Sequence, residues 1–159
     1  MKSTSAINKT MTSVQDREII LTRVFDAPRE DVFIAWTDPQ QVPYWWGPQG
    51  FTLTTHHMDV RPGGTWSYIM HGPDGVDYDN QIVYQDVVHP ERLAYAHGDL
   101  QGEHFQVTVT FKELGGQTEL TMRTQFKSAE ELEFVVKEYG AIEGGVSTLE
   151  RLADHLIAQ

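Results

Sequence analysis

The side chains with most to offer chemically in this sequence are aromatic. Trp36, Trp45, Trp46, Trp66, Tyr68, Tyr84, Tyr95, Phe105, Phe111 and Tyr139 are spread over strand-like and helix-like stretches. Most residues of this kind fill a core. Those with a hydroxyl or an indole N–H need a partner when buried. An apolar wall with a few polar tips is also how small-molecule pockets are built. Alternation along strands would bring Trp66, Tyr68, Met70, Tyr95, Phe105 and Met122 to one face. Tyr84 and Tyr139 join them as candidates for contact with a ligand. Trp45 and Trp46 precede the Gly47-Pro48 break and suit a rim.

Acid–base chemistry has one weak candidate, Glu143. It sits at the edge of an apolar helical stripe, between Gly140 and Gly144. A carboxylate there ordinarily reaches for water. Facing a cavity, its pKa would rise and it could act as a general base. Asp59 and Arg61 flank a Pro-Gly-Gly turn and read as a pair that holds it. The seven histidines are scattered. His56 and His57 are adjacent on a strand and must point to opposite faces. A metal site needs ligands converging on one face, so neither a metal nor a cofactor is expected. No phosphate-binding Gly-Lys-Ser/Thr loop and no Gly-x-Ser-x-Gly elbow occurs.

The last stretch must position most of these groups. From Ser128 to about Ala158 it reads as one long helix. Ser128 with Glu131 forms a capping-box pattern. Leu132, Val135, Val136, Tyr139, Ile142, Val146, Leu149, Leu152 and Leu156 follow in steps of three and four. Gly140, Gly144 and Gly145 interrupt the stripe, each at a cost of about 1 kcal/mol against Ala. They indicate close packing or a kink, or a backbone kept bare beside a cavity. The cavity reading places the site between the sheet and Gly140–Gly144.

Upstream, Glu18–Phe25 is a strand, and Pro28 then opens a short helix. A second short helix starts at Asp38-Pro39 and stops before Gly47-Pro48. From Phe51 the period changes to two, giving six further strands joined by turns such as Gly72-Pro73-Asp74-Gly75. The predicted fold is α+β. A seven-stranded curved antiparallel sheet wraps a long C-terminal helix, with two short helices between strands 1 and 2.

Composition narrows the partners. The chain has 159 residues, one domain by length, with 12 basic and 23 acidic residues for a net charge of −11. Such a surface repels phosphate backbones and anionic lipid, which argues against nucleic-acid and membrane partners. The absence of Cys fits a cytoplasmic location. Residues 1–15 are polar and are expected to form a disordered tail, with the folded unit at 16–159.

Several motifs carry a family resemblance. They are Arg23-Val-Phe-Asp-Ala-Pro, Ala35-Trp-Thr-Asp-Pro, Trp45-Trp46-Gly-Pro, Asp59-Val-Arg-Pro-Gly-Gly-Thr-Trp, His89-Pro-Glu-Arg-Leu, the Gly-Gly-Gln-Thr-Glu-Leu-Thr hairpin, and Gly140-Ala-Ile-Glu-Gly-Gly with Thr148-Leu-Glu-Arg-Leu. In this order they resemble the bacterial branch of the START and birch-pollen-allergen (SRPBCC) superfamily. Its members are often labelled homologues of the activator of a heat-shock chaperone ATPase. The resemblance implies a helix-grip fold around an apolar cavity. The expected function is binding of a small hydrophobic or aromatic molecule. The alternatives are a cyclase- or hydrolase-type enzyme acting in that cavity, and a stress-response module that contacts a chaperone. A homodimer is compatible with any of the three.

Overall fold

The computed structural model describes residues 2–7, 9–99 and 102–158. Its strands are β1 Lys2–Ile7, β2 Thr10–Gln15, β3 Glu18–Phe25, β4 Thr52–Met58, β5 Thr65–His71, β6 Asp77–Val88, β7 Arg92–Asp99, β8 Gly102–Leu114 and β9 Gln117–Phe126. Helix α1, Arg29–Thr37, and a single 3-10 turn, Val42–Tyr44, lie between β3 and β4. Helices α2, Ala129–Tyr139, and α3, Ala141–Ala158, end the chain. The strands form one antiparallel sheet in the order β1-β2-β3-β9-β8-β7-β6-β5-β4. After β3 the chain crosses to the far edge and meanders back strand by strand, until β9 pairs with β3. This is the helix-grip arrangement.

Alternation sets the inner face. Trp66, Tyr68 and Met70 of β5 are buried, as are Ile82 and Tyr84 of β6, Leu93 and Tyr95 of β7, and Val107, Val109 and Phe111 of β8. Val146, Leu149 and Leu152 of α3 close over them, three residues apart on one stripe. Helix α1 adds Phe33 and Trp36, whose rings meet Phe111 edge-on at 5.2 and 6.0 Å.

Three expectations are corrected. Among the described residues the sheet has nine strands rather than seven, because most of the supposed N-terminal tail is β1 and β2. Strand β2 joins β3 through Asp16 and Arg17, with Asp16 left-handed at φ 55°. Its inward residues are Thr10 and Thr12, while Met11 is exposed. The strand therefore buries hydroxyls and shows no apolar alternation. Met1, Asn8 and Gln159 lie outside the described residues.

The second correction concerns the closing helix, which is two helices. Ser128 Oγ accepts from the Glu131 N–H at 3.1 Å, so the start is as predicted. Gly140 then takes φ 60°, ψ 45° and ends α2 with a left-handed cap. Its carbonyl accepts from the Gly144 N–H at 2.8 Å and begins α3. The third correction is smaller: the second short helix is only the 3-10 turn ending at Tyr44.

These glycines separate by substitution. Gly140→Ala is expected to lower stability by about 1 kcal/mol, since a Cβ disfavours the left-handed region. At Gly144 the backbone is helical and a Cβ would rest 3.6 Å from Pro48 Cγ, an ordinary contact. Gly144→Ala is expected to gain about 0.5–1 kcal/mol. Urea unfolding of both variants checks the opposite signs; equal effects would contradict the break at Gly140.

Candidate functional site

Between the inner face of the sheet and the start of α3 lies a cavity of about 500 Å³. Its sheet wall is laid down by alternation. Strand β5 supplies Tyr68 and Met70, β7 supplies Tyr95 and His97, β8 supplies Phe105 and Val107, and β9 supplies Met122. Asn80 of β6 stands directly opposite Tyr68 in the ladder. The helical wall is thin. Gly145 and Thr148 are what α3 presents, and Tyr139 closes α2. The remaining wall is the segment after the 3-10 turn: Trp46, Gly47, Pro48 and Phe51, with Trp36 of α1 behind it. Tyr78 and Tyr139 line the cavity and are also exposed, which marks its mouth.

Seven of the candidate residues are brought together here: Trp46, Tyr68, Met70, Tyr95, Phe105, Met122 and Tyr139. The others are placed elsewhere. Trp45 is fully buried behind Trp46, and its indole N–H donates to the Ala35 carbonyl at 3.0 Å. Trp66 is buried and donates to Thr55 Oγ1 at 3.1 Å. Tyr84 is buried under Tyr95, with ring centroids 6.1 Å apart. Gly140 is the cap between helices, and Gly144 faces Pro48.

Glu143 is exposed in the first turn of α3, where the helix dipole favours a carboxylate. It is not among the described residues that line the cavity. Gly145, one residue past Gly144, is the glycine that faces inward. A Cβ there would stand 2.6 Å from Leu21 Cδ1.

The polar groups form a short relay. The Trp46 indole N–H donates to the Tyr68 hydroxyl at 3.1 Å. The Tyr68 hydroxyl lies 2.8 Å from His97 Nε2. The His97 ring stacks on Phe105, centroids 4.7 Å apart. Burial raises the Tyr68 pKa well above the ordinary phenol value, and the Trp46 hydrogen bond offsets only part of this. Burial raises Tyr95 likewise, against a smaller downward pull from the Trp36 indole beside it. The Trp36 N–H nevertheless makes no hydrogen bond of good geometry. Both hydroxyls therefore stay protonated at any physiological pH. No Asp, Glu, Lys or Arg is among the described residues that line the cavity.

The wall formed by residues 46–51 is fastened from α3. Arg151 Nη1 lies 2.8 Å from the Gly47 carbonyl, 3.2 Å from that of Pro48, 3.3 Å from that of Trp46 and 3.4 Å from that of Phe51. Its Nη2 donates to the Tyr44 carbonyl at 3.2 Å. The Gln49 N–H donates to Ser147 Oγ at 3.0 Å. Sequence reasoning missed Arg151, because its partners are backbone carbonyls a hundred residues away. Gly47, Pro48 and Phe51 follow from the same contact.

Outside the cavity, Thr54 Oγ1 is 2.7 Å from His71 Nε2, and His71 Nδ1 is 2.7 Å from Asp77 Oδ1. This hydroxyl–imidazole–carboxylate line crosses the exposed side of β4–β6, opposite the face that carries Met70. None of the three is among the described residues that line the cavity, and the line reads as a cross-strand ladder.

Residues 26–156 match the family model described as Activator of Hsp90 ATPase homolog 1-like protein. No curated protein matches the chain. Among solved structures, protein Ms6760 from Mycobacterium smegmatis is 31% identical, with a TM-score of 0.81 over 89% of this chain and 92% of that one. A protein from Arthrobacter aurescens is 25% identical, with a TM-score of 0.83 over 99% of this chain and 92% of that one. One from Rhodobacter sphaeroides is 23% identical, with a TM-score of 0.79 over 99% of both chains, a likeness of fold alone. No helix among the described residues is long and apolar enough to cross a membrane.

Proposed function

This chain belongs to the family of Activator of Hsp90 ATPase homolog 1-like proteins, and from that premise we propose that it binds a small, uncharged, hydrophobic or aromatic molecule between sheet and α3. The observation that carries the reading is the cavity itself. About 500 Å³ of space is lined mainly by aromatic and thioether side chains with a few polar tips, and no Asp, Glu, Lys or Arg is among the described residues that line it. Protein interiors are otherwise close-packed. An apolar space of this size with its mouth at Tyr78 and Tyr139 can admit a small molecule and bury most of its surface. The size and lining are those of small-molecule sites.

N-phenyl-1-naphthylamine, a neutral apolar fluorophore, is a suitable probe. It is expected to bind the purified protein at one equivalent with a blue-shifted emission. Val107→Phe from the sheet side and Thr148→Leu from the helix side should each abolish binding while the far-UV spectrum is kept. A parent protein that leaves the probe dark, or both filled variants binding as the parent does, would sink the reading.

The family description supports a second reading, contact with a heat-shock chaperone. Phe134 and Tyr139 form an exposed aromatic pair on α2, centroids 5.8 Å apart, and are the apolar surface such a contact would use. Stimulation of a purified chaperone ATPase by this chain, lost in Phe134→Ser, would favour it. The enzyme reading, which paired Glu143 with a Tyr or His in the cavity, would have to run on Tyr68 and His97 alone, since Glu143 is exposed and is not among the described residues that line the cavity.

A further inference from the structure

We infer that the cavity selects neutral ring compounds bearing a hydroxyl, and that the lone pair of the Tyr68 oxygen left over from the Trp46–Tyr68–His97 relay is what reads that hydroxyl. The inference rests on the cavity-binding reading and deepens it. The direction of the relay decides the chemistry. An indole nitrogen can only donate, so at the 3.1 Å contact the Tyr68 oxygen is the acceptor. Tyr68 has one proton of its own. His97 Nε2, 2.8 Å away, is an acceptor in the neutral imidazole whose proton is on Nδ1. With the proton placed there, both hydrogens of the Trp46–Tyr68 pair are satisfied. The other tautomer would have the Nε2–H donate to the Tyr68 oxygen and leave the phenol hydrogen to be placed elsewhere.

The Tyr68 hydroxyl, with its own hydrogen directed at His97, therefore offers a ligand an acceptor and no hydrogen. A phenol or alcohol can donate to it. A ketone, an ether or a carboxylate has only lone pairs to bring. Two further observations point the same way. No Lys or Arg is among the described residues that line the cavity to neutralise a carboxylate or phosphate, and burying an anion without a partner is costly. Trp46 and Phe105 both line the space, and aromatic walls of this kind suit a planar ring. Asn80, opposite Tyr68 in the ladder, already donates its Nδ2 to the Tyr78 carbonyl at 3.0 Å.

The test compares three naphthalenes of one shape at pH 8: 2-naphthol, 2-methoxynaphthalene and 2-naphthoate, with N-phenyl-1-naphthylamine as control. The parent is expected to prefer 2-naphthol over 2-methoxynaphthalene by about tenfold, the size of one neutral hydrogen bond, and to bind 2-naphthoate weakest. Tyr68→Phe should erase the preference, with affinity for 2-methoxynaphthalene kept. Tyr95→Phe should leave the preference in place. His97→Leu is the variant a packing role would not imitate. Without its acceptor, the Tyr68 proton turns to the cavity, and the preference should reverse toward 2-methoxynaphthalene.

Equal binding of 2-naphthol and 2-methoxynaphthalene by the parent would overturn the hydroxyl class and leave the cavity reading standing. So would loss of the preference in Tyr95→Phe, or an unchanged order in His97→Leu. Failure of every probe, the control included, would remove the cavity reading itself.

Discussion

Truncating Leu149 or Leu152 to Ala is expected to lower the free energy of unfolding by about 2–5 kcal/mol each, the range for a fully buried leucine that leaves a hole. Both side chains are completely buried on the stripe of α3 that faces the sheet. The site can do little to collapse, because the opposing wall is a hydrogen-bonded sheet. The upper half of the range follows from that rigidity. With a stability of about 5–15 kcal/mol for an ordinary domain, the double variant should be largely unfolded at room temperature. Denaturant titration followed by tryptophan fluorescence measures this directly, since Trp36 and Trp45 are buried in the same core. A loss well under 1 kcal/mol in both single variants would show that α3 is peripheral and that the sheet does not close around it.

That stripe is legible in the amino-acid sequence alone, and so is the inner face of β5 to β9. In both cases large apolar residues recur at a single period, 3.6 or 2. The failures share a cause. Strand β2 buries Thr10 and Thr12, so its inner face carries no hydrophobic signal. The break at Gly140 leaves the spacing of Tyr139, Ile142 and Val146 intact, and a spacing cannot report a left-handed φ. A phase error follows from it. Consecutive helical residues are turned by about 100°, so the glycine facing the cavity is Gly145, while Gly144 faces Pro48. By spacing, His97 is one of several scattered histidines. Its role depends on Tyr68, two strands away in the sheet order. Tertiary pairing of that kind leaves no mark on local spacing.

Arg151→Ala is expected to cost both stability and affinity, although Arg151 is not among the described residues that line the cavity. The guanidinium collects carbonyls from Tyr44, Trp46, Gly47, Pro48 and Phe51, and so holds one whole side of the cavity against α3. Burial pushes its pKa down from the ordinary arginine value, and the ring of carbonyl dipoles keeps the charge in place. Hydrogen bonds to a charged group contribute about 1.5–3 kcal/mol each. Several acceptors share two nitrogens here, and the side chain is partly solvated, so the expected loss of stability is about 2–4 kcal/mol. Affinity for N-phenyl-1-naphthylamine should fall with it, because Trp46 and Pro48 lose their anchor. Arg151→Lys should rescue little: a single ammonium cannot reach carbonyls on both sides of the fork. Ser147→Ala removes only the bond to the Gln49 N–H and should cost about 1 kcal/mol, with binding retained. Urea unfolding with and without the probe separates these outcomes. Full affinity in Arg151→Ala, at unchanged stability, would mean that the 46–51 wall stands without its tether.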